Sequence, residues 1–94
     1  MAVLIFKDSG GRYVDFEVPT RPLRIGRSPV ADVQIQDGRL SRIHCEITRN
    51  ANGFIIRDLD STNGTWVNQN RVHEARLKFG DKIRVGQTLI AFES

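Results

Sequence analysis

The chain has 94 residues, 39% hydrophobic and 27% charged, with a formal net charge of +3 and a pI near 9.6. It lacks both an apolar run of about 18 residues and an apolar stretch behind a basic N-terminus, which predicts one soluble domain without a spanning helix or signal peptide. A chain this size buries somewhat under about 70% of its unfolded surface, which favours a surface site over a deep enclosed pocket.

The single cysteine excludes an internal disulfide and suits a reducing compartment, with cytoplasm as the default. The modest basic surplus favours anionic partners without choosing among phosphopeptide, nucleic acid and membrane surface.

In chain order, the apolar-rich segments are 2–7, 12–18, 23–26, 32–35, 43–49, 54–58, 65–68, 82–85 and 88–92. Several alternate with period two: Val14, Phe16 and Val18 fall on one face while Tyr13, Asp15 and Glu17 fall on the other, and Ile43, Cys45 and Ile47 repeat the pattern. Between the runs lie Ser9-Gly10-Gly11, Asp37-Gly38, Asn50-Ala51-Asn52-Gly53, Asn63-Gly64 and Gly80-Asp81, all turn chemistry. No long amphipathic helix, low-complexity linker or internal repeat is present. Short strands at close spacing predict an all-β antiparallel sandwich, with a small barrel as the competing closure.

In such a sandwich the strands form a scaffold and the loops at one end carry function. Three loops hold more donors than turning requires: Arg24-Ile25-Gly26-Arg27-Ser28, Arg39-Leu40-Ser41-Arg42-Ile43-His44, and Asp58-Leu59-Asp60-Ser61-Thr62-Asn63-Gly64-Thr65. Guanidinium forks, hydroxyls and a carboxamide together suit a tetrahedral oxyanion beside an extended backbone. A phosphate monoester on Ser or Thr, with about −1.5 to −2 charge and three acceptor oxygens, matches in sign and number. Taken singly, Arg27, Arg39 and Arg42 read more readily as solvated surface, Ser41 as a turn cap and Asn63-Gly64 as a tight turn; their joint arrangement favours the phosphate reading.

The ordered motifs Gly26-Arg27-Ser28, Asp32-Val33-Gln34-Ile35, Leu40-Ser41-Arg42-Ile43-His44-Cys45, Asp58 to Asn68 and Leu77 to Gly86 resemble the forkhead-associated (FHA) domain, over about Leu23 to Phe92. The resemblance implies one FHA-like domain over residues 1–94 (motif-bearing core about 23–92). Its fold would be an FHA/SMAD-like sandwich of about eleven short strands, with binding loops at one end. It further implies a non-catalytic module that binds phosphothreonine segments of a partner protein, downstream of a Ser/Thr kinase. By matching position, Arg27, Ser41, Arg42 and Thr62 would hold phosphate and Asn63 the peptide backbone. Arg39 would face the residue three places after the phosphothreonine. Gly26, His44, Gly64 and Asn68 would shape the loops. One departure stands out: Gln69-Asn70 follows Val67-Asn68 where the family usually has glycine, which predicts another turn type with Asn70 at positive φ.

Rival chemistries are weaker. Adjacent strand residues point to opposite faces, so His44 is not positioned to activate Cys45, which reads as core. Ser41, His44 and Asp58 or Asp60 lack a nucleophile elbow. The two histidines and one cysteine have no metal-ligand spacing, and the aspartates no calcium-loop spacing; no cofactor, metal or catalytic residue is expected. Arg27, Arg39, Arg42 and Arg71 offer a basic surface for nucleic acid, but Trp66, Phe54 and Tyr13 form no stacking run. Neither nucleic acid nor membrane is therefore expected as a partner. A phosphate-independent assembly module is the remaining alternative, disfavoured by the joint presence of Arg27, Ser41 and Asn63.

Overall fold

The computed structural model describes residues 1–94, and its regular elements are all strands. A hairpin of β1 (Val3–Lys7) and β2 (Tyr13–Glu17) is followed by β3 (Leu23–Gly26), β4 (Val33–Gln34), β5 (Cys45–Asn50) and β6 (Gly53–Asp58). Then come β7 (Thr65–Val67), β8 (Asn70–Val72), β9 (Glu74–Leu77), β10 (Lys82–Val85) and β11 (Thr88–Glu93). Six strands in the order β2-β1-β11-β10-β7-β8 form one sheet, and five in the order β4-β3-β5-β6-β9 form the other. Every pairing is antiparallel except that of β3 with β4, so the architecture is the expected sandwich and not a barrel.

Alternation decides which side chains turn inward. Val14, Phe16 and Val18 are covered while Tyr13, Asp15 and Glu17 stay exposed, and Cys45 and Ile47 pair with Ile25 and Leu23 across the second sheet. The inward rows merge into one cluster of 18 buried residues. Leu4, Ile25, Ile56, Ile83 and Ile90 within it are fully covered, each contributing about 1.5–3 kcal/mol by burial. Phe54, Phe79 and Phe92 close the end where β6 and β10 begin, with Phe92 5.3 Å from each partner ring. On the outer face of the smaller sheet, Arg24–Glu46 and Arg57–Glu74 ion pairs run across four strands.

Strands β8 and β9 do not show in the periodicity. The chain leaves the six-stranded sheet after Val72 and joins the five-stranded one at Glu74, so the inward residues Val72, Ala75 and Leu77 break their alternation at the crossing. The β7–β8 turn also departs from expectation. Val67 pairs with Asn70, and the positive φ values fall on Asn68 (48°) and Gln69 (72°), not on Asn70. Two consecutive left-handed residues are what a two-residue hairpin of type I′ demands, and they match the right-handed twist of the strands. Asn70 is thereby placed inside β8.

Candidate functional site

The loops joining β3 to β4, β4 to β5 and β6 to β7 leave the same end of the sandwich and line one groove of about 470 Å³. Its walls include Arg27, Arg39, Ser41, Arg42, Thr62 and Asn63, so the structure brings together every residue expected to touch phosphate or peptide.

The first loop is clamped by backbone. Arg27 N–H donates to the Ser41 carbonyl at 3.1 Å and Ser28 N–H to the Arg42 carbonyl at 3.0 Å. This approach requires Gly26, because a Cβ there would lie 2.0 Å from the Arg42 carbonyl oxygen. Arg27 Nε donates to the Leu40 carbonyl at 3.1 Å, which aims the guanidinium and leaves its terminal N–H groups without a protein partner.

Ser41 and His44 join the second loop to the third. Ser41 Oγ accepts the Thr62 N–H at 3.0 Å, so its own proton is free to donate. Ser41 N–H donates to His44 Nδ1 at 3.1 Å, which assigns the proton to Nε2, and Nε2 donates to the Gly64 carbonyl at 2.8 Å. His44 is fully buried and touches no groove surface. Asn63 Nδ2 donates to the Arg39 carbonyl at 2.9 Å, leaving Oδ1 free to accept. Asn68 lies outside the groove, where it bonds Asp81 at 2.9 Å and Lys82 N–H at 3.0 Å, fixing the β7–β8 turn to β10. Gly64, at φ 91°, is buried beside the Arg71 side chain.

Two carboxylates that the sequence did not single out as site residues hold these loops. Asp58 accepts from Ser61 N–H, Ser61 Oγ and Thr65 Oγ1, and Ser61 Oγ in turn accepts the Gly64 N–H at 2.9 Å. Burial pushes the Asp58 carboxyl up, but the Ser61 and Thr65 hydrogen bonds outweigh it and hold the group below its ordinary value. The Asp58-x-x-Ser61 spacing is a local signal that sequence reading could have used. Asp37 accepts from Arg39 N–H, Gln87 N–H and Thr88 Oγ1, and these bonds likewise overcome its burial and depress its pKa. Gln87 and Thr88 lie about fifty residues away, beyond any local pattern.

Electrostatics favour an anion in the groove. Arg27, Arg39 and Arg42 converge on it, and none of them has a carboxylate partner. Three unneutralised guanidiniums around a free hydroxyl make an anion receptor, and the only acidic lining residue is Asp60. Nucleophilic chemistry at Cys45 is excluded, since burial and the Asp58 charge push its thiol up to about 12. The chain contains no helix long and apolar enough to cross a membrane.

Comparison with known proteins agrees with this geometry. The FHA domain family model matches residues 23–86. The oxoglutarate dehydrogenase inhibitor of Corynebacterium jeikeium (strain K411) is 31% identical over 91 residues, covering 97% of this chain and 63% of that protein. The glycogen accumulation regulator GarA of Mycobacterium tuberculosis (strain H37Rv) is 37% identical over 67 residues, 71% of this chain and 41% of its own length. The chain thus spans from about two fifths to three fifths of these curated relatives, whose names are those of regulators and inhibitors. A domain solved in a study of phosphothreonine-dependent FHA domain interactions superposes with a TM-score of 0.87 at 34% identity, covering 99% of this chain and 95% of its own. The chain belongs to the FHA domain family.

Proposed function

We propose that residues 1–94 act as one module that captures a phosphothreonine in an extended segment of a partner protein, placing it downstream of a Ser/Thr kinase. Arg27, Arg42, the Ser41 hydroxyl and Thr62 hold the phosphate. Asn63 Oδ1 accepts a peptide N–H, and Arg39 selects an acidic side chain three residues after the phosphothreonine. The observation that carries this reading is the convergence of three arginines without a carboxylate partner, a free serine hydroxyl and a carboxamide on one groove.

Phosphate charge explains rejection of unphosphorylated peptide. The threonine methyl, beside the half-buried Ile43 and Leu59 of the groove wall, contributes about 0.8 kcal/mol or roughly fourfold, and a close fit adds to it. A nucleic-acid role is less well supported, because Trp66 is half-buried under Arg84 at 4.7 Å and offers no open stacking face. The reading includes a reducing, cytoplasmic setting, for which the single buried free cysteine is the supporting observation.

The test is an NMR titration of the labelled domain with a degenerate phosphothreonine peptide pool, its unphosphorylated twin and its phosphoserine twin, repeated in Arg27→Ala. Saturable shifts at Arg27, Ser41 and Asn63 that need phosphothreonine and disappear in the variant are expected. Equal affinity for matched phosphoserine peptides would sink the threonine preference. A folded domain without any phosphate-dependent shift would leave an assembly module as the better account.

A further inference from the structure

A second, larger depression of about 740 Å³ lies at the same end of the sandwich, on the outer face of the six-stranded sheet. Its apolar floor is Ile5, Tyr13, Leu89 and Ala91, brought side by side by the β2-β1-β11 register. Leu89 is 55% and Tyr13 72% exposed, so this patch remains open to solvent in the folded chain. Its cations differ: Lys82 is held by Glu93 at 3.6 Å, whereas Lys7 has no carboxylate and rests 5.3 Å from the Tyr13 ring. Of the carboxylates that border it, Asp37 accepts hydrogen bonds through both oxygens and Asp8 accepts two backbone N–H groups through Oδ1.

Gly38 lines both this depression and the phosphate groove. It precedes Arg39, the residue assigned to the position three places after the phosphothreonine. A Cβ at Gly38 would meet nothing within 4 Å, so the saddle between the two hollows is low, and Asp37 pins it to the β10–β11 turn. A peptide leaving Arg39 away from the phosphate therefore passes over Gly38 into the second hollow, advancing about 3.3 Å per extended residue.

We infer that this depression is a second subsite for the same phosphorylated partner, taking an apolar side chain with a neighbouring carboxylate from the segment beyond the third residue after the phosphothreonine. The inference rests on the phosphothreonine reading above. Leu89, Tyr13 and Ile5 would cover the apolar side chain and Lys7 would meet the carboxylate.

To test it, phosphothreonine peptides with aspartate at the third following position and six further degenerate residues are selected on the wild-type domain. The most enriched peptide and the same peptide truncated after that aspartate are then titrated. The extended form should bind about five- to tenfold tighter, as burial of one apolar side chain allows, with apolar and acidic residues enriched in the extension. Leu89→Asp and Tyr13→Asp should each abolish the gain while the truncated peptide binds as it does to wild type. Tyr13 is 72% exposed on β2 and lies outside the phosphate groove, so Tyr13→Asp leaves the core untouched and serves as the test if Leu89→Asp fails to fold.

Equal binding of the two peptides to wild type overturns the subsite while leaving the phosphothreonine reading intact. A gain that survives both substitutions overturns it too. So does a wild-type dimer dissolved by Leu89→Asp with no effect of the extension, which would assign the patch to a second copy. Absence of binding by the truncated peptide to folded protein sinks the phosphothreonine reading, and this inference with it.

Discussion

At Arg27 the sequence supplies a charge, and its neighbours turn that charge into a receptor. The Leu40 carbonyl takes Nε, so only the terminal N–H groups face the groove. Arg27→Ala should weaken phosphothreonine peptide binding about ten- to hundredfold, the range of one charge-assisted contact, with little change in the urea midpoint. Arg27→Lys should recover only part of that affinity, because an ammonium lacks the fork that holds Leu40 and phosphate together. Titration calorimetry on both variants checks the pair, and full recovery with lysine would mean that charge alone matters. Gly26 acts in the other direction, on the fold. An alanine there collides with the Arg42 carbonyl and severs the two backbone bonds that clamp the loop, so Gly26→Ala should cost about 3 kcal/mol or more in urea denaturation. A variant with the wild-type midpoint would show that the clamp contributes nothing.

The β7–β8 turn shows how an element enforces a conformation its residues do not favour. Gln69 sits at φ 72° because Val67 and Asn70 pair across a two-residue loop, and a non-glycine residue there bears about 1–2 kcal/mol of strain. Gln69→Gly should relieve it, for a net gain of about 0.5–1 kcal/mol after the entropy that glycine adds to the unfolded chain. Asn70→Gly should destabilise, because position 70 is strand. Thermal melts of both variants decide between these positions, and the opposite pair of signs would refute the turn assignment. This turn also marks where the sequence stopped being legible. Asn68 and Asn70 announced a bend there, but which residue takes positive φ depends on cross-strand register, a tertiary property. The alternation of Val14, Phe16 and Val18 could be read directly because β2 stays in one sheet, whereas β8 and β9 divide a single stretch between two. Groove residues were legible through their donor chemistry and the family's spacing. Asp37 was not, since its bonds to Gln87 and Thr88 bridge distant parts of the chain.

Across the whole molecule, protonation should act in two separate windows. Asp37 and Asp58 have folded pKa values held below the ordinary carboxylate value by the hydrogen bonds they accept. A depressed folded pKa means that the unfolded chain takes up the proton first. The stability these groups contribute is thus present above pH about 4 and lost as pH falls through their folded values. Urea midpoints should fall as pH drops below about 4. Asp58→Asn should be about 1–2 kcal/mol less stable than wild type at pH 7, with the difference shrinking in acid. A difference that stays constant down to pH 3 would remove Asp58 from this account. Binding should respond earlier. A phosphothreonine loses its second charge as pH falls through about 6, while the groove arginines keep theirs, so the Arg27, Arg39 and Arg42 cluster faces a monoanion in place of a dianion. Affinity for a phosphothreonine peptide should drop up to about tenfold between pH 7.5 and 5, above the window in which Asp37 and Asp58 lose their contribution. Calorimetry against pH measures the drop, and the His44 ring nitrogen shifts, recorded in the same samples, separate the ligand's titration from any change in the Ser41–His44–Gly64 chain. An affinity independent of pH across this range, with those shifts unmoved, would mean that the groove reads the monoanion and that the second phosphate charge contributes nothing to recognition.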